Sequence, residues 1–370
     1  MMNDIHNNML ALLRSALWGT KVSFAGSVDW AGVARLASRQ TVTGLVADAV
    51  CSLPADQQPS AELMHKLRSM RVANIGAHSM LNTRLAEVLE LMRKNDISPI
   101  LLKGQGLASE YPDPTARQCG DIDLYIGRQN YSKACEVAIA AYGKHEHDSE
   151  SIKHYHFSCG GVQIELHRIA EAMPGHFVDR RFQDWTYRNL HVIGPDTVEI
   201  DGVCVPVPPV SFNPLYVLNH AWHHFMNGGI GMRQLCDWMM YLHRHHHQID
   251  AAALKRDLRS MRLLKVWQLF AYIAVNHLGL PAEECPLYDG QSGKKAERVL
   301  EMILDEGNFG RYSSRKKTPR PKGYAAGKLH SFRNSTSRYS RLFSIMPLRA
   351  LECYVSYVGK GVWHYFKGLR

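Results

Sequence analysis

Apolar residues recur at three- and four-residue spacing through most of the first 95 positions, in Met9 to Leu17, Trp30 to Val50 and the long segment Ala61 to Lys94. That period predicts helices with one buried stripe, weakly broken at Gly76, and together they read as a helical lobe over residues 1–95. The period then changes. Ile100-Leu101-Leu102 has the length of a buried strand, Lys103-Gly104-Gln105-Gly106 breaks it, and Leu107 to Tyr111 suits a short helix. Asp121, Asp123 and Tyr125 alternate with Ile122, Leu124 and Ile126, which predicts a strand with one polar and one packed face. Tyr131 to Tyr142 predicts a crossover helix. Tyr155 to Cys159, Gly160-Gly161 and Val162 to His167 predict a hairpin; its second strand packs Val162, Ile164 and Leu166 and turns Gln163, Glu165 and His167 the other way. Another hairpin signal spans Thr197 to Val207 around Asp201-Gly202. Pro208, Pro209 and Pro214 then punctuate the chain, Ser211 or Asn213 can cap a helix, and a helical pattern runs to about Leu280. The expected class is α+β: a mixed sheet with helices over residues 96–210, helical lobes at 1–95 and 211–308, and a tail at 309–370, with no internal repeat.

The chemistry concentrates where the strand period appears. Asp121 and Asp123 share a strand face, where they repel each other unless a cation lies between them, and i, i+2 spacing lets two carboxylates share a hard divalent metal. An Asp-apolar-Asp triplet alone is usually a solvated edge, so a third acid matters; Glu165, carried back by the hairpin, is the candidate. The Gly-rich turn at a helix start offers backbone N–H groups to phosphate, and a carboxylate pair nearby can hold the Mg²⁺ that accompanies a nucleotide. His145, His147, His154 and His156 alternate, but a half-exposed strand yields the same pattern, so a metal site built on them is not the leading account. His167 shares the Glu165 face and can orient a carboxylate, touch a phosphate or simply make a hydrogen bond. His220 and His224 lie one turn apart, as do Arg233 and Asp237; aromatic neighbours Trp222 and Phe225 favour packing over a zinc site. This lobe is expected to close over nucleotide or acceptor, with Arg233 near phosphate or paired to Asp237. The histidines at 243, 245, 246 and 247 sit at a helix end, where the helix dipole accounts for them.

Lys103-Gly104, Tyr111-Pro112, Arg117, Gly120-Asp121-Ile122-Asp123-Leu124 and Ile164-Glu165-Leu166-His167 resemble the uncharacterised bacterial nucleotidyltransferase family of the DNA polymerase β-like superfamily. Pro214 to Leu242, with His220, His224, Arg233 and Asp237, is similar to the helical region that follows the catalytic core in that family, and roughly residues 30 to 300 fit. The superfamily usually shows Gly-Gly or Gly-Ser at the turn where this chain has Lys103-Gly104-Gln105-Gly106, so triphosphate contacts do not carry over from its better-known members. The resemblance implies a polymerase β-like core and transfer of an NMP group, most simply AMP from ATP, to an acceptor hydroxyl with release of pyrophosphate. It implies two Mg²⁺ or Mn²⁺ ions on Asp121 and Asp123, with Glu165 as third ligand or general base. It further implies that Lys103, Gly104, Gln105, Gly106 and Arg117 bind the nucleotide. A small hydroxylated molecule, a protein side chain and an RNA end all remain open as acceptor. Two other functions compete: a non-catalytic nucleotide-binding or interaction module, and a toxin-like enzyme that modifies tRNA.

Charge separates the tail from the rest. Residues 311–370 hold 14 Lys or Arg and one acid, Glu352, while the first 310 residues carry a net charge of −3. Arg315 to Lys322 reads as a linker, and Tyr354, Tyr357, Trp363, Tyr365 and Phe366 stand among basic residues farther on. Such a segment can contact RNA or an anionic membrane, or fold its apolar side onto the body. Eight scattered cysteines show neither close pairs nor zinc spacing and suit reduced thiols. The N-terminus lacks the basic region of a secretory leader, and no apolar run reaches membrane-spanning length. The expected location is cytoplasmic, with room for peripheral membrane contact through the tail.

Overall fold

A computed structural model of the protein describes residues 2–143, 154–313 and 321–366. His145, His147, most of the 315–322 segment and the side chains of Trp363, Tyr365 and Phe366 lie outside the described residues. Four helices come first: α1 Asp4–Trp18, α2 Trp30–Arg39, α3 Thr43–Cys51 and α4 Ala61–Arg93. Asn3, Asp29 and Ser60 cap α1, α2 and α4 through side-chain oxygens. Gly76 does not break α4, which runs unbroken for 33 residues. A glycine costs about 1 kcal/mol in a helix interior, less than the buried run Leu81, Leu85, Val88, Leu89 and Met92 returns by packing.

The sheet follows, with β1 Ile100–Leu101, the four-residue helix α5 Gln105–Ala108, β2 Ile122–Tyr125, the crossover helix α6 Gly127–Tyr142, β3 His154–Cys159 and β4 Val162–His167. Its order is β1-β2-β4-β3, with β2 and β4 parallel and the outer pairs antiparallel. The short helix thus starts at Gln105, two residues earlier than expected, because Gly104 itself caps it. After α7 His176–Tyr187 and a π-helical turn, Arg188–Ile193, the hairpin β5 Asp196–Ile200 and β6 Val203–Val207 forms its own small sheet. Helices α8 Asn213–Asn227, α9 Met232–His245, α10 Ala251–Ser260, α11 Leu264–Leu278 and α12 Gly293–Glu306 complete the main body. The tail adds α13 Tyr324–Phe343 and α14 Pro347–Phe366.

Two apolar clusters hold these layers. The smaller joins the α4 stripe to Ile122, Leu124, Phe157, Ile164 and Leu166 of the sheet and to Ala134 and Ala138 of α6. The larger runs from Met9 and Leu12 of α1 through Trp222, Trp238, Trp267 and Phe270 to Leu342, Ile345 and Ala350 of the tail. Polar contacts repeat that closure: Arg14 and Trp18 donate to the carbonyls of His277 and Leu278, and Gln40 donates to that of Ile303. The tail is also tied by charge, since Arg338 and Arg341 both pair with Glu306, which is 2% exposed. The polar face expected of β2 is not a wet one. Asp123 and Tyr125 are both buried, Asp123 against Lys103 and His167 and Tyr125 against His191, whose Nε2 lies 3.0 Å from the Tyr125 hydroxyl. Among the described residues no helix is long and apolar enough to cross a membrane.

Candidate active site

The site begins at the end of β1. Leu102 N–H donates to the Asp123 carbonyl, and the chain then turns at Gly104 with φ +67 and ψ −116, a backbone conformation that suits glycine. The turn brings Lys103 across β2, where its Nζ lies 3.0 Å from Asp123 Oδ1. Parallel pairing sets Asp123 directly opposite Glu165, and Asp121 stands exposed just before β2. Carboxylate oxygens of Asp121, Asp123 and Glu165 all come within 4.8 Å of one another.

Two histidines interleave with the carboxylates. His167 Nε2 lies 2.9 Å from Asp123 Oδ1 and 3.3 Å from Glu165 Oε2, and His156 Nδ1 lies 3.2 Å from Glu165 Oε1. Burial opposes the charge of His167, yet hydrogen bonds to Asp123 and Glu165 push it up to about 9. Burial likewise opposes ionisation of Asp123, but Lys103 and His167 hold its carboxyl far below the usual range. His154, Glu165 and His167 form a second group whose ligand atoms fall within 4.8 Å, so His154 and His156, two of the four histidines set aside on their alternation, do adjoin the carboxylates.

The opposite wall belongs to α8 and the segment after β4. His220 Nδ1 lies 3.3 Å from Glu171 Oε2, and its Nε2 lies 3.2 Å from Lys103 Nζ. An ammonium only donates, so His220 accepts at Nε2 and donates from Nδ1 to Glu171. Burial would raise the Glu171 carboxyl, but the hydrogen bond from His220 and the nearby His223 hold it well below its ordinary value. Burial and then His220 push His224 down to about 3.

A buried arginine forms the third wall. Arg117 grips Asp237 with Nε at 2.7 Å and Nη2 at 2.8 Å, and Tyr111 donates to the same carboxylate at 2.7 Å. Asp237 therefore pairs with Arg117 and not with Arg233, which instead donates to the Gln118 carbonyl. Arg117 Nη1 and Arg233 Nε are buried without a hydrogen-bond partner among the described residues.

These walls enclose a cavity of about 370 Å³ lined by Lys103, Gly104, Arg117, Asp121, Asp123 and Glu165, together with His167, His220, His224, Arg233 and Asp237. Gln105 and Gly106 are not part of it. Gln105 is 4% exposed and donates to Asn82 of α4 at 2.7 Å, while Gly106 abuts Val207. With Gly104 as the cap, α5 directs both away from the turn. Glu171 and His223 were not legible as cavity residues. Glu171 lies four residues beyond β4 in a stretch with no period, and His223 falls between the two histidines whose helical spacing draws attention.

The fold meets the α+β expectation, with a small mixed sheet among many helices. Comparison with curated proteins and with solved structures gave no significant match. A family model described as uncharacterised nucleotidyltransferase matches residues 26–279, which takes in the whole four-stranded sheet and the helices of the opposite wall. More than half of the chain lies within that match, and the protein belongs to this uncharacterised nucleotidyltransferase family.

Proposed function

We propose that the protein transfers a nucleoside monophosphate group, AMP in the first instance, from an NTP to an acceptor hydroxyl and releases pyrophosphate. The observation that carries this reading is the convergence of Asp121, Asp123 and Glu165 on one side of a cavity that Lys103, Arg117 and Arg233 also line. The three residues offer only carboxylate oxygens within 4.8 Å of one another, a donor set that suits a hard divalent cation. Asp121, Asp123 and Glu165 would hold Mg²⁺ or Mn²⁺ there, and such ions, two in the full reading, supply charge neutralisation and a lowered pKa for a bound oxygen.

The remaining work falls to the chain itself. Lys103, held between Asp123 and His220, presents its ammonium to the phosphates. Arg117, fixed by two hydrogen bonds to Asp237, and Arg233 line the same cavity and add positive charge near the phosphates. The acceptor oxygen bonds to the α-phosphorus as the bridging bond to pyrophosphate breaks, and the hydroxyl proton passes to a carboxylate. Glu165 suits that role because burial, which raises its pKa, is outweighed by hydrogen bonding to His167, which keeps it ionised near neutral pH.

One observation favours a second reading, a nucleotide-binding module without chemistry. Asp123 Oδ1 is already met by both Lys103 and His167, which compensate its charge with no metal. The test is transfer from each NTP, radiolabelled at the α-phosphate, into a cell extract resolved into small molecules, RNA and protein, with Mg²⁺ or Mn²⁺. Native protein should label one fraction and Asp123→Ala should not. No mutant-sensitive label, together with no metal-dependent NTP binding, would overturn transfer and leave the binding module. A tRNA-modifying role, or membrane contact through residues 311–370, draws less support, because Arg338 and Arg341 of the tail are paired with Glu306 and Arg349 with Glu352.

A further inference from the structure

The sheet carries a second set of donors beside the carboxylates. β3 is an edge strand, and its register pairs His154 with His167 and His156 with Glu165, while β2 sets Asp123 beside Glu165. Strand residues two apart, and residues directly opposed on neighbouring strands, share a face, so these five side chains lie on the same side of the sheet. That face is rich in imidazole at its edge and in carboxylate toward its centre. Opposed side chains stand about 4.5–5.5 Å apart at Cβ, which lets two neighbouring pairs meet on one ion. His154, Glu165 and His167 do converge: each offers one ligand atom, and the three atoms fall within 4.8 Å of one another. All three line the cavity of about 370 Å³, which gives an ion a way in. His156 Nδ1, 3.2 Å from Glu165 Oε1, donates to that oxygen and orients the carboxylate from the solvent side. Alternation on a half-exposed strand accounts for histidines along β3. It does not account for their meeting a glutamate and a buried histidine across the ladder.

We propose that His154, Glu165 and His167 bind a transition-metal cation of the Zn²⁺ class, at a site chemically distinct from the all-oxygen set Asp121, Asp123 and Glu165 and joined to it through Glu165. Two imidazoles with one carboxylate suit Zn²⁺ and its first-row neighbours, whereas three carboxylates suit Mg²⁺ or Mn²⁺. The two sets therefore select different ions by donor type. Glu165 has two oxygens and can serve both sets. Three protein ligands is also the number with which a zinc centre keeps a position open for water or another small molecule. The inference goes beyond nucleotidyl transfer, because its selectivity comes from imidazole nitrogens that the transfer reaction does not call on.

The test titrates full-length, chelator-treated protein with Co²⁺, whose visible d–d absorption reports imidazole ligation and stands in for Zn²⁺. A saturable band should appear, Zn²⁺ should displace it, and a large excess of Mg²⁺ should not. His156→Ala should weaken Co²⁺ binding roughly tenfold, the loss expected of an outer partner, and His154→Ala should weaken it by more than about a hundredfold. His154 is half-buried on an edge strand; if the alanine variant fails to fold, His154→Gln removes the imidazole while keeping polar bulk and decides in its place. His247→Ala, in the exposed histidine run after α9, should leave the band unchanged, and so should Asp121→Asn, which alters only the oxygen set. Absence of a saturable band would overturn the site. So would a band indifferent to loss of the His154 imidazole, one abolished by Asp121→Asn, or one displaced by Mg²⁺ as readily as by Zn²⁺. The readout is metal binding and not label transfer, so this site and nucleotidyl transfer stand or fall separately.

Discussion

Lys103 is held from two sides, by Asp123 at 3.0 Å and by His220 at 3.2 Å, and burial works against its charge while Asp123 and Asp121 outweigh that and raise its pKa. A group so fixed acts as a preset positive charge. Lys103→Met should lower kcat/KM for transfer by about 10²-fold, as loss of one stabilising donor does elsewhere, measured by steady-state kinetics with saturating Mg²⁺. Loss confined to folding stability, with kinetics of the folded fraction intact, would remove Lys103 from the mechanism. Behind it, Glu171 makes a prediction about pH. Its carboxyl is depressed in the folded protein, so the stabilisation it brings is complete above the unfolded value of 4.5 and drains away as pH falls through the lower folded value. His220 enters folded protein with its pKa lowered by burial and by Lys103, which adds acid sensitivity of the same sign beginning near 6.5. Glu171→Gln should therefore be destabilised at pH 7, and its deficit against the native protein should shrink below pH 4.5 in urea titrations. A deficit that stayed constant down the pH range would mean that the carboxylate charge contributes nothing there.

The β1–α5 turn and the parallel β2–β4 pair set the site jointly. Gly104 sits at φ +67 with Asp121 O only 3.3 Å from where a Cβ would be. Gly104→Ala should cost about 1–3 kcal/mol in urea unfolding, and should also reduce transfer because the same turn aims Lys103 and borders Asp121. An alanine variant with native stability and activity would show that the turn tolerates a side chain. Much of this was legible in the chain. Alternation located β2 and β4, the Asp201-Gly202 turn signal located the β5–β6 hairpin, and alternation put Asp123 and Glu165 on strand positions that turn out to be directly opposed. What period cannot report is where a non-periodic segment goes or which distant partner a charge meets. Glu171 lies in such a segment, and Arg117 and Asp237, 120 residues apart, meet across the packing of α9 against α5. The direction of Gln105 was not legible, because the frame of a four-residue helix depends on its cap. In the tail, the apolar side does fold onto the body, through Tyr339, Leu342 and Ile345, which anchor α13 and its turn.

The larger core joins helices from both ends of the chain, and the tail is pinned to it by one buried acid. Glu306 is 2% exposed and answers both Arg338 and Arg341. Replacing both arginines by methionine should cost about 3–5 kcal/mol, since it strands a buried carboxylate, and adding Glu306→Gln should recover part of that loss in the same unfolding assay. If the triple variant is no more stable than the double, the charge of Glu306 is not what the arginines offset. The long reach of Gln40 to the Ile303 carbonyl, across 263 positions, has a consequence for how the protein is made. A ribosome adding about 5–20 residues per second needs roughly 13 to 50 s to cover that separation, so the apolar faces of α1 to α3 emerge long before the helices that cover them exist. Nascent chains of this protein should therefore engage a holding chaperone early and release it only once α12 has cleared the exit tunnel.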